Sequence, residues 1–72
     1  MKKISVSLSG HQTSITLEIE FIDALQKLAI RQNRPIAAII NDIDSTRPRD
    51  RNLSSAVRVW ILQQIIIQAY KN

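Results

Sequence analysis

The stretch ISVSLSGHQTSITLEIEF, residues 4–21, holds the change of period on which the fold turns. Ile4, Val6 and Leu8 alternate with Ser5, Ser7 and Ser9. Beyond Gly10 the alternation resumes, with Thr13, Ile15 and Leu17 set against Gln12, Ser14 and Thr16. Period two with β-branched residues marks strand with one buried face. Gly10, the only glycine, interrupts the pattern as a bulge or a turn would. Residues 4–17 therefore read either as one long bulged strand or as a hairpin turning near residues 9–12. His11, beside the glycine, reads as a hydrogen-bonded residue that fixes the bend rather than as a ligand or base.

From residue 18 onward the period becomes helical. Phe21, Ile22, Leu25, Leu28 and Ala29 share one face, and Glu20, Asp23, Gln26, Lys27 and Arg31 the other. Acidic residues lead and Arg31 and Arg34 follow, in the sense the helix dipole favours. Asn33 can take the left-handed conformation that stops a helix, and Pro35 opens the next. These signals place a helix over 18–33. Ile36, Ile39, Ile40 and Ile43 then give an i, i+3, i+4, i+7 stripe and a second helix over 35–45. A polar loop with Arg47, Arg49 and Arg51 leads to Asn52 or Ser54, either of which can cap a third helix over 53–70. Leu53, Val57, Trp60 and Ile61 form one face of it. The run Ile65, Ile66, Ile67 goes round the helix, and also reads as strand. The whole chain, 1–72, is one domain, mainly α with an N-terminal β-ribbon.

Composition limits the rest. Seventy-two residues with no cysteine and one histidine leave neither a disulfide nor a zinc site to support a small core. Oligomerisation is the support that remains, and thirteen isoleucines create the burial demand for it. The net charge of +4 attracts polyanions, nucleic acid before membrane. No stretch approaches the roughly 20 apolar residues of a membrane span, and the start does not read as a signal peptide, so a cytoplasmic protein is expected. No nucleophile, base and orienting group cluster, and Asp42 and Asp44 lie two apart on a helix and do not face each other. Neither an enzyme, a cofactor nor a small-molecule substrate is expected.

Two blocks, GHQTSITLE (residues 10–18) and NLSSAVRV (residues 52–59), with the acidic INDIDSTR stretch between them, resemble a branch of short bacterial proteins in the ribbon-helix-helix superfamily. The likeness covers about residues 4–64. It implies an intertwined homodimer whose ribbon strands pair antiparallel, one from each subunit, with Ile15, Leu17, Phe21, Leu25, Ile40 and Trp60 in the shared core. The chain departs from the branch at Gln12, where arginine is expected, and from simpler members in its extra N-terminal segment and third helix.

The resemblance also implies double-stranded DNA as partner, with the ribbon in the major groove. If Ile15 and Leu17 point inward, Gln12, Ser14 and Thr16 point outward. The pattern alone favours simple solvation of that face; the likeness turns it towards base contact, for which glutamine suits adenine. Arg34, with the free N–H groups of Ile36 and Ala37 at the second helix's start, is the expected phosphate site, with Arg31 and Arg49 as further backbone contacts. The arginine loop could instead pair with Asp42, Asp44 and Asp50. A transcriptional repressor is the leading expectation. The alternative is an oligomeric protein–protein interaction module or an antitoxin, against which stands the shortness of the polar end, Lys71-Asn72.

Overall fold

The computed structural model describes residues 1–71 and comprises a two-stranded antiparallel ribbon followed by three helices. Strand β1 spans Lys2–Leu8 and β2 His11–Leu17, with Leu8 opposite His11 and Lys2 opposite Leu17. Of the two readings open for residues 4–17, the hairpin is the one found. Both strands of this hairpin come from one chain.

A two-residue turn makes this possible. Ser9 (φ 50°) and Gly10 (φ 84°) both adopt positive φ, as a turn matched to the right-handed twist of a hairpin requires. His11 does not fix this bend: its side chain is exposed, and no hydrogen bond to it is found among the described residues. The Ser9 hydroxyl instead donates to Asn41 Oδ1 (3.3 Å). A Cβ at Gly10 would meet nothing within 4 Å, so Gly10→Ala should suffer only backbone strain. A loss of about 1 kcal/mol is expected in denaturant melts; an unchanged midpoint would contradict the turn.

Helix α1 runs Ile19–Gln32 and buries Ile22, Leu25, Leu28 and Ala29. Asn33 ends it in the left-handed conformation (φ 54°, ψ 45°), and Arg34 N–H returns to Ala29 O at 3.0 Å. Pro35 stands just before α2 (Ile36–Thr46), which buries Ile39, Ile40 and Ile43. Asn52 caps α3 (Leu53–Lys71), its Oδ1 accepting from Ser55 N–H at 2.8 Å. The isoleucine run is helical and lies within α3.

The inner face of the ribbon, Val6, Leu8, Ile15 and Leu17, closes on the buried residues of all three helices. β1 packs on α2 and β2 on α3. Leu17, Leu25 and Ile40 are fully buried, and Ile15 is 3% exposed, inside a single chain. Phe21 and Trp60, expected in the same core, are only partly buried at its margin. No buried polar side chain occurs among the described residues.

Candidate nucleic-acid interface

The outer face of the ribbon carries Gln12, Ser14 and Thr16, all exposed. Register sets Ser7 opposite Gln12, Ser5 opposite Ser14 and Lys3 opposite Thr16. The sequence reading missed these three β1 residues. In a two-residue hairpin the pair flanking the turn is hydrogen-bonded, so the pairs Ser7–Gln12, Ser5–Ser14 and Lys3–Thr16 are the non-hydrogen-bonded ones. Their side chains lie closest across the ribbon, and their own N–H and C=O groups point outward. The result is a polar strip with a cation at one end.

The free edge of β2 is closed at that same end. Thr16 N–H donates to Ser54 Oγ (3.3 Å), and Arg58 Nη2 reaches Thr16 O (3.5 Å). Arg58 also holds Glu18 through Nε–Oε1 at 2.8 Å, and its guanidinium carbon stands 6.0 Å from the Phe21 ring centre. One arginine thus ties α3 to β2, to the β2–α1 junction and to α1. Glu18 makes no side-chain cap bond to α1; its carbonyl accepts from the N–H groups of Phe21 and Ile22.

The Arg58 hydrogen bond, followed by a backbone hydrogen bond, holds the Glu18 carboxyl below its ordinary pKa. A carboxyl lowered in the folded state binds fewer protons there than when unfolded, so stability rises with pH between the two values. The contribution is complete above the ordinary glutamate range and is lost as pH falls through the lowered value. Glu18→Gln should therefore be less stable than wild type near neutrality and converge with it in acid. Urea melts at both ends of that range check this; a gap that widens in acid contradicts it.

Four ion pairs, Lys27–Asp23, Arg34–Asp42, Arg47–Asp44 and Arg58–Glu18, occupy four of the cations. Arg34, the expected phosphate residue, is thus held by Asp42. It lies with Ile36 in a groove at the α1–α2 junction that Gln26, Ala29 and Ile30 also line. Ala37 is exposed on the first turn of α2, Arg31 is exposed near the end of α1, and Arg49 is exposed in the loop before α3. Arg47, from that same loop, pairs with Asp44 and donates to Arg51 O (2.6 Å). Among the described residues Lys2, Lys3, Arg31, Arg49, Arg51 and Lys71 remain outside these pairs. The ribbon end and the α2–α3 loop hold four of those six.

A two-stranded ribbon with an apolar underside, a polar outer strip and helices stacked beneath defines a small ribbon-helix-helix protein. The family model described as ribbon-helix-helix domain matches residues 1–65, and the chain belongs to that family. No curated protein and no solved structure matches it. Ribbon-helix-helix domains generally bind DNA as transcription regulators or antitoxins. Among the described residues, no helix is long and apolar enough to cross a membrane.

Proposed function

We propose that this chain is a sequence-specific DNA-binding protein, a cytoplasmic transcriptional repressor that acts as a homodimer by laying its β-ribbon in the major groove. The observation that carries the reading is the outer strip of Lys3, Ser5, Ser7, Gln12, Ser14 and Thr16, exposed on a hairpin whose other face is fixed to the core. A major groove admits a two-stranded ribbon, and this hairpin supplies both strands from one chain. Gln12 is the discriminating side chain, because glutamine can bond adenine at two positions; Ser14 and Thr16 accept or donate and so fit several bases. Lys3 brings the charge that the β2 side of the strip lacks.

Phosphate contacts fix the position of such a ribbon. Arg31 and Arg49 are proposed for that work together with Arg34 and the N–H groups of Ile36 and Ala37, the phosphate replacing Asp42 at the Arg34 guanidinium. The second reading, an oligomeric interaction module or antitoxin, draws on one observation, the exposed apolar end of α3. Titrating mixed-sequence and selected duplexes at several salt concentrations separates the two. A DNA-binding protein loses affinity linearly in log salt, by about 0.9 per phosphate neutralised. No binding at low salt would overturn the DNA reading.

A further inference from the structure

Helices α1 and α3 do not close on each other along their whole length. Phe21, Ala24, Ile61, Leu62 and Ile65 line a cavity of about 250 Å³ between them. Ala24, Leu28 and Ile65 continue it into a second of about 370 Å³, whose rim carries Lys27 and Arg31. Ala24 and Ile65 belong to both, so the two form one trough. Its cause is local. Ala24 is the small side chain on this edge of α1, with the larger Phe21 and Leu28 about one turn to either side. A hydrogen bond from Gln32 Nε2 to Gln64 Oε1 (2.9 Å) ties the same two helices.

Chemistry changes along the trough. The end at Ile61 and Leu62 is apolar, and Leu62 and Ile65 stand 55% and 46% exposed there. The charged residue in that lining is Glu20. Arg58, whose guanidinium stands over the Phe21 ring, is already held by Glu18. The other end offers two cations. Arg31 makes no ion pair among the described residues, and Lys27 pairs with Asp23 through side chains that are both mostly exposed, a contact worth little. We infer that the trough takes a single-chain anionic amphiphile. The ligand is a long-chain carboxylate whose tail lies along Phe21, Ala24 and Leu62 and whose head meets Arg31 and Lys27. Glu20 sets this sense, since a carboxylate at the apolar end would face a like charge. Length agrees: from Phe21 to Arg31 the helix rises about 15 Å, the span of an extended chain of roughly a dozen carbons. Covering Leu62, Ile65 and the tail drives binding, and the guanidinium selects the head group. The inference requires neither DNA binding nor association of copies.

The test titrates the whole chain by calorimetry with sodium dodecanoate below its micelle concentration. Dodecyltrimethylammonium, with an equal tail and the opposite charge, is titrated alongside. Dodecanoate should bind saturably at a single site per chain, and the cation at least about tenfold more weakly. Arg31→Gln should weaken dodecanoate about tenfold, the loss of one charge-assisted contact at an exposed site. Arg51→Gln, the same charge change in the loop before α3, should bind as wild type. Ala24→Leu fills the trough and should abolish binding with circular dichroism unchanged. Should that variant misfold, Leu62→Gln, at an exposed position, tests the tail end instead and should also weaken binding about tenfold. No saturable binding, equal binding of the two amphiphiles, or equal losses in Arg31→Gln and Arg51→Gln overturns the inference. So does wild-type binding by Leu62→Gln or by a folded Ala24→Leu. Phosphatidylglycerol vesicles that pellet the wild-type chain but not Arg31→Gln would give the trough to a membrane surface and overturn the free ligand.

Discussion

Ile15→Asp is expected to leave the chain unfolded at neutral pH, whereas Ser14→Ala, one residue away, should melt within about 0.5 kcal/mol of wild type. Ile15 is 3% exposed and sits across the ribbon from Ile4, above the helical core. The core around it holds no buried polar or charged side chain among the described residues, so an aspartate there is either a desolvated carboxylate or a protonated acid in an aliphatic site. Either costs several kcal/mol. A chain of this size has roughly 3–5 kcal/mol to lose, so one such substitution removes the folded state. Ser14 lies exposed on the outer strip. Because side chains alternate strictly along a strand, a slip of one residue would exchange the two outcomes. Circular dichroism and urea titration of both variants decide it: a folded Ile15→Asp or an unfolded Ser14→Ala refutes the register.

What the sequence makes legible here is the part set by local periodicity. The isoleucine stripe of α2 and the apolar face of α1 appear as buried faces because a helix repeats within four residues and the pattern reports that repeat. Asn33 and Pro35 are readable for the same reason, since their backbone preferences act where they stand. The ribbon was ambiguous on chemical grounds. Asn-Gly would announce a tight hairpin turn, but Ser-Gly does not, since serine has no special ease at positive φ; a bulged strand fits the same letters. The hairpin is what brings Lys3, Ser5 and Ser7 onto the outer strip, and nothing local in the sequence marks them as site residues.

Pairings between distant positions were not legible at all. Arg58 and Glu18 are forty residues apart, and nothing in either's neighbourhood marks the other; Glu18 reads locally as a helix-start acid. Arg34 illustrates the converse. Its place before α2 marks it as a phosphate candidate on local grounds, yet Asp42, eight residues on, takes its guanidinium. The isoleucine run of α3 could be read as an excess of apolar surface but not assigned a face. Its exposure depends on how far α3 extends past the ribbon and α1, which is a tertiary property.

The charge left outside ion pairs bears on how the outer strip would work, and two substitutions separate its parts. If the ribbon lies in a major groove, Gln12→Ala should cost roughly 1–3 kcal/mol at one base pair of a preferred duplex and little on random DNA, because it removes a paired contact to a base edge. Lys3→Ala should weaken both duplexes about equally and reduce the slope of log affinity against log salt by about one unit, since a lysine near the backbone neutralises a phosphate without reading a base. Gln12→Arg should move the preferred base towards guanine, whose two acceptors suit a guanidinium fork, and should also steepen the salt slope by the charge it adds. Each substitution sits on an exposed outer position, so the fold is expected to survive and the binding changes can be read directly. The measurement is binding to a selected and a scrambled duplex at two salt concentrations, for wild type and the three variants. Should Gln12→Ala and Lys3→Ala both match wild type on both duplexes, the strip does not touch DNA: either the DNA face lies elsewhere or the interaction-module reading holds.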